Sequence, residues 1–158
     1  IDSVVHRPKV LRLRKCTRLC DPVAEVSAHW LIDTDGTCEK LVDETRRAWH
    51  AGASSWQGET DTNSRSIGIE LANTGAQPFP EPQMTALESL LRGIMARWSI
   101  PPQRIIGHSD MAPARKSDPG PRFDWRRLAH QGLSVWPAAA RHPVSSGAAC
   151  DQVRTAAG

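Results

Sequence analysis

No stretch of the sequence stays apolar for anything near the roughly 20 residues that a membrane-crossing helix needs, so a helical span is excluded. Cysteine is sparse. Cys16, Cys20, Cys38 and Cys150 show no paired CxxC spacing, and a small disulfide scaffold would be denser in cysteine and poorer in core residues, so free thiols are expected. Tyrosine is absent and phenylalanine occurs twice, against six tryptophans. Indole rings suit sugar stacking, but core packing is the expected use of most of them. There is no initiator Met. The opening Ile1-Asp2-Ser3-Val4-Val5 is neither a signal peptide nor a natural start, so a fragment or processed form is expected.

Charge of one sign is also lacking once it is located. The net +3 conceals a run from 7 to 18 with Arg7, Lys9, Arg12, Arg14, Lys15 and Arg18 and no acid, which leaves the rest of the chain at −3. A nucleic-acid reading would rest on that segment alone, and no nucleic-acid partner is expected. The hydrophobic share of 39% and the charged share of 23% are those of an ordinary globular domain. At 158 residues the chain is large enough to bury a real core.

Periodicity supplies the elements. Val26 to Ile32 reads as a strand, Asp33-Thr34-Asp35-Gly36 as a turn, and Cys38 to Val42 as the returning strand of a hairpin. Residues 48–63 read as a loop. Ser66-Ile67-Gly68-Ile69-Glu70-Leu71 is a strand with Ile67, Ile69 and Leu71 on one face and Gly68 and Glu70 on the other. Pro80 and Pro82 open a helix whose Met84, Leu87, Leu91, Ile94 and Trp98 form one apolar stripe, and Pro101-Pro102 closes it. Residues 104–107 form a short buried strand, 112–121 a Pro-punctuated loop, and Asp124 caps a short helix through Leu128. The fold class is therefore α/β (α+β), a single mixed sheet flanked by helices, with the domain occupying residues 1–137. Residues 138–158 dissolve into Ala, Ser, Gly and Arg and read as a linker or disordered tail.

Three segments carry candidate chemistry. Glu70 sits in an otherwise apolar strand, where a carboxylate is paired, functional, or turned to solvent on an open sheet face. His108 stands at the end of a short strand, where it is either a ligand or a structural histidine. The segment Arg115-Lys116-Ser117-Asp118-Pro119-Gly120-Pro121 fixes its backbone with two prolines and a glycine. It presents Lys116 and Asp118 either as site groups or as a surface pair in a turn. Histidine and carboxylate with one more nitrogen make a usual catalytic zinc set.

Taken in order, Val26-Ser27-Ala28-His29-Trp30-Leu31-Ile32, Arg47-Ala48-Trp49-His50-Ala51-Gly52, Ser66 to Leu71, and His108 to Trp125 resemble the zinc N-acetylmuramoyl-L-alanine amidases. That family shares its fold with phage lysozyme-type amidases and animal peptidoglycan recognition proteins. The resemblance covers roughly residues 22–137. It implies one zinc in a surface groove, with His108 and Asp118 as ligands, Glu70 as the catalytic acid and base, and Lys116 beside the metal's water. The bond cut would be the amide between the lactyl group of N-acetylmuramic acid and L-alanine, in peptidoglycan or in muropeptides. Trp49 and His50 would bind substrate, although His50 packed under Trp49 or Trp56 is as good a reading. The third zinc ligand is expected at His6, which ends the run Ser3-Val4-Val5, with His29 as the alternative. A monomer in the cell envelope or periplasm is expected, with the cytoplasm as the alternative location. The competing reading from another class is a non-hydrolytic peptidoglycan-binding module of the same fold.

Residues 7–20 depart from the family pattern, and the match resumes near Asp21-Pro22. A locally shifted reading frame would produce such a basic stretch between two good matches. Translating the coding DNA in all three frames checks this, and absence of the family pattern from every frame would exclude it. Gly132 to Pro137 resembles the end of the domain in members that continue into a peptidoglycan-binding module.

Overall fold

The structure is a computed structural model and describes residues 2–6, 27–74 and 77–137. Its frame is a five-stranded mixed sheet. The strands are β1 (Asp2–His6), β2 (Trp30–Ile32), β3 (Cys38–Lys40), β4 (Ser66–Leu71) and β5 (Ile105–Gly107), in the spatial order β3-β2-β4-β1-β5. Strands β2, β4, β1 and β5 run parallel and β3 is antiparallel to β2. The helices are α1 (Thr62–Arg65), α2 (Glu81–Trp98), α3 (His108–Met111) and α4 (Trp125–His130), with a 3-10 turn at Pro102–Arg104.

Parallel strands are covered on both faces, and every residue of β4 is buried. On one face Val5, Ile67, Ile69, Leu71 and Ile105 meet Met84, Leu87, Leu91 and Ile94 of α2 in the main core. Each such side chain gives about 1.5–3 kcal/mol when fully buried. On the other face Val4, Ile106, Ala51 and Met111 form a smaller cluster with Trp56 against it. Helix α2 buries its apolar stripe as its spacing predicts, with Trp98 half-buried, and it also buries Gln83 and Glu88. Gln83 Nε2 donates to the carbonyls of Ile32 and Ala72, tying the start of α2 to the ends of β2 and β4. Glu88 and Glu81 both bond Arg127, which fastens α4 to α2.

Several boundaries differ from the sequence reading, each for a local reason. Strand β2 spans Trp30–Ile32 and does not extend back through Ser27, because at His29 the ring Nδ1 accepts the Gly68 N–H at 2.9 Å in place of a backbone carbonyl. Strand β3 stops at Lys40 because the Leu41 and Val42 N–H groups both turn to the His29 carbonyl. Helix α2 ends at Trp98, ahead of the two prolines, with Ser99 in the left-handed region (φ 53°) as its cap. His108 opens the single-turn helix α3 directly after β5, and α4 runs on past Leu128 to His130. The cap at Asp124 forms as its side chain predicts, accepting the Arg127 N–H at 3.0 Å. The 48–63 segment is a loop holding the isolated bridge Trp56–Glu59, and its last two residues enter α1. Cys38 is an exposed free thiol. The basic segment, Cys16, Cys20, Cys150 and the tail from residue 138 lie outside the described residues, so the expectations for them and for the outer domain limits do too.

Candidate active site

The carboxyl ends of three neighbouring strands define the site. In the register of β1 with β4, His6 pairs with Glu70, and in that of β1 with β5, Val5 pairs with Gly107. The backbone of His6 therefore lies between Glu70 on one side and, one step beyond Gly107, His108 on the other. Glu70 is buried, 9% exposed, so the solvent-facing reading of this carboxylate gives way to a desolvated one. It also pairs in register with Leu31 of β2.

His108 is the centre of the polar network. Its Nδ1 lies 3.0 Å from Asp118 Oδ2, and its Nε2 lies 3.1 Å from the Ala51 carbonyl. A carbonyl only accepts, so Nε2 carries a proton there. The imidazole nitrogen that faces the carboxylate is then Nδ1. Asp118 is returned to His108 by the chain itself, since the Asp118 carbonyl accepts the Ser109 N–H at 2.9 Å. Lys116 is half-buried in the same loop, and its N–H bonds the Ala112 carbonyl at 2.9 Å. The structure thus brings His108 and Asp118 together and sets Lys116 two residues away. An imidazole nitrogen beside a carboxylate oxygen is a donor pair that fits zinc, and an N–H held by a backbone carbonyl is how a ligating histidine is usually oriented. Among the described residues no group of three or more metal-binding side chains is assembled.

The other two candidate histidines, His29 and His50, are placed inside. His29 is 1% exposed, and both ring nitrogens are committed: Nδ1 accepts from Gly68 N–H, and Nε2 donates to the Arg46 carbonyl at 2.9 Å. Burial holds its pKa below the ordinary 6.5, against the raising effect of the Arg46 carbonyl and of Glu44 and Asp43. A ring with both nitrogens bonded to the backbone is a structural group, which removes His29 as the alternative ligand. His50 is 6% exposed, with its ring stacked over Gly68 and its Nε2 3.3 Å from both the carbonyl and the hydroxyl oxygen of Ser66. It meets His29 edge to face at 5.6 Å. His50 therefore lies buried against the sheet rather than on an open cleft wall, with Gly68 over its ring. Trp49, its neighbour, is exposed, and the Arg47 guanidinium lies 4.3 Å above its ring.

Two residues passed over in the sequence hold this constellation in place. Asn63 Oδ1 accepts the backbone N–H groups of His50 and Ala51 at 3.0 and 2.8 Å. Arg115 Nη2 donates to the carbonyls of Ala51 and Ala53 at 2.8 and 2.9 Å, joining the 48–63 loop to the segment that carries Lys116 and Asp118. Neither belongs to a periodic pattern, and only the neighbouring Trp49-His50-Ala51-Gly52 and Lys116-Ser117-Asp118 segments mark where they lie. The 630 Å³ cavity lined by Trp30, Lys40, Glu44, Arg97 and Trp98 opens on the α2 side of the sheet. Its Glu44 carboxylate is saturated by the Trp30 and Trp98 indole N–H groups and by Arg97, which makes it a packing feature away from this site.

Comparison with known proteins identifies the family and the fold. Residues 4–121 match the N-acetylmuramoyl-L-alanine amidase family. Among curated relatives, the amidase AmiD of Escherichia coli is 44% identical over 133 residues, covering 74% of this chain and 48% of that protein. The 1,6-anhydro-N-acetylmuramyl-L-alanine amidase AmpD of Haemophilus influenzae is 46% identical over 103 residues, covering 65% of this chain and 56% of its own length. This chain spans about half the length of these relatives. Among solved structures, the E. coli AmiD complex with anhydro-N-acetylmuramic acid-L-Ala-D-gamma-Glu-L-Lys superposes with a TM-score of 0.83 at 39% identity, over 89% of this chain and 60% of that one. AmpDh3 of Pseudomonas aeruginosa in complex with anhydromuramic pentapeptide gives 0.81 at 31% identity, over 88% and 62%. The chain belongs to the N-acetylmuramoyl-L-alanine amidase family.

Proposed function

We propose that this chain hydrolyses the amide between the lactyl group of N-acetylmuramic acid and L-alanine, in peptidoglycan or muropeptides, with zinc held by His6, His108 and Asp118. The observation that carries the reading is the His108–Asp118 pair, whose Nδ1 and carboxylate face each other at 3.0 Å at the end of β5. His6 completes the set because its backbone stands next in register between Glu70 and the end of β5, and because His29 is committed elsewhere. Zinc, when bound, lowers the pKa of a water ligand to about 7 and polarises a carbonyl oxygen.

The chain's own groups account for the rest. Glu70, in a desolvated position, accepts the proton of the attacking water and passes it to the alanine nitrogen as the amide breaks. Water is consumed, and a lactyl carboxylate and a free α-amine are produced. The Lys116 ammonium offsets the negative charge that develops on the carbonyl oxygen. Trp49, exposed at the start of the loop that carries Ala51, offers an indole face to the sugar. The E. coli relative was solved with an anhydromuramoyl tripeptide, and that compound is the natural first substrate. Mass spectrometry after incubation should show anhydro-N-acetylmuramic acid and a tripeptide with a free L-alanine amine. Retention of the intact compound by an unreactive protein would instead make this a recognition module.

A further inference from the structure

The Ala51 peptide is tied on every side. Its carbonyl receives two donors, His108 Nε2 at 3.1 Å and Arg115 Nη2 at 2.8 Å. Its N–H, together with that of His50, converges on a single acceptor, Asn63 Oδ1. Asn63 is 8% exposed and lies in α1, the turn that leads directly into β4. Two N–H donors on one side-chain oxygen fix which way the amide points, because its NH2 end could not accept them. The loop that passes under the site is therefore pinned by a side chain from the element next to the strand of Glu70.

The consequence falls on His108. Its two ring nitrogens are distinguished by their partners, a carbonyl that can only accept and a carboxylate. If the 50–51 backbone turned, Nε2 would lose its acceptor. We infer that Asn63 is a positioning residue for the metal centre: by holding the His50 and Ala51 N–H groups it aims the Ala51 carbonyl at His108. That carbonyl keeps the proton on Nε2 and presents Nδ1 to the site. The consequence for metal affinity rests on the zinc reading above. The consequence for the ring itself does not. Partners that orient a ligating histidine from outside typically change metal affinity about 10–100-fold when removed.

The test uses the whole chain and two readouts, zinc affinity by competition with a chromophoric chelator and the 15N–1H NMR signature of the His108 imidazole in zinc-free protein. Asn63→Ala should weaken zinc binding about 10–100-fold and abolish the protected His108 Nε2–H signal. Asn63→Asp keeps an acceptor at the same reach and should restore both. If the alanine variant does not fold, Asn63→Ser replaces it, since its shorter hydroxyl cannot reach both N–H groups and predicts the same losses. A merely structural role would lower the melting temperature without moving the His108 signal. Wild-type zinc affinity together with an unchanged Nε2–H signal in the alanine or serine variant would overturn the inference. Failure of the unsubstituted chain to bind zinc would sink the zinc reading, and the NMR comparison would still decide the role of Asn63.

Discussion

Glu70 brings a carboxyl group where its strand neighbours Ile69 and Leu71 are apolar, and it is buried with them. Its roles in chemistry and in folding separate in one substitution. Glu70→Gln preserves shape, so fold and zinc should survive, while turnover falls by about 10²- to 10⁴-fold because an amide cannot take the proton. Unchanged turnover with weaker substrate binding would make Glu70 a binding group instead. Asp118→Ala and Lys116→Ala should fail differently. The first loses zinc and activity together. The second keeps zinc by elemental analysis and loses turnover by roughly 10²-fold or more. A metal-replete Asp118→Ala protein would remove that residue from the ligand set. His29 supplies a pH test. Burial lowers its folded pKa below 6.5, so above that value both folded and unfolded chains hold it neutral and it contributes nothing to the pH slope. As the pH falls through 6.5 the unfolded chain takes up the proton first and stability declines. His29→Gln keeps an acceptor and a donor without titrating, so its urea midpoint should fall less between pH 7.5 and 5 than that of the wild type. Equal falls would show that the ring is not held neutral.

The elements most legible in the sequence are those whose period is set by burial alone. Strand β4 and the body of α2 stand where alternation and the Met84-Leu87-Leu91-Ile94 stripe put them. Strand β2 is shorter than its apolar run because a side chain enters the ladder at His29, and β3 is shorter because two N–H groups share the His29 carbonyl; no pattern of apolar residues reports either bond. The order of Glu70, His108, Lys116 and Asp118 along the chain is what marks them as candidates in the sequence. Its supports at Asn63 and Arg115 were not, because loop hydrogen bonds leave no period. Gly68 shows how closely the layers meet. A Cβ there would stand 2.8 Å from His50 Cδ2 and Nδ1. Gly68→Ala should cost about 1–3 kcal/mol as overpacking, and adding His50→Ala should recover part of that loss. Denaturation of the two single variants and the double variant gives the coupling, expected at about 0.5–3 kcal/mol. Strictly additive effects would mean that the two residues do not share this space.

At the scale of the whole molecule, the sheet divides labour between its faces. One face is closed by α2 and supplies the main core; the other carries the small Val4–Ala51–Ile106–Met111 cluster and the pinned loop that hold His108 in place. Because β1, β4 and β5 run parallel, their carboxyl ends gather on one edge, which is how residues 6, 70 and 108 become neighbours. Zinc-dependent cleavage of the muramoyl–alanine bond is the claim on which this arrangement converges. The most direct test is release of L-alanyl peptide from an anhydromuramoyl peptide by the protein as isolated, after chelation, and after zinc is returned in stoichiometric amount. The expected result is turnover that disappears with the metal and returns with it, alongside one zinc per chain. Peptide release that persists at full rate in protein shown to be free of zinc would contradict it.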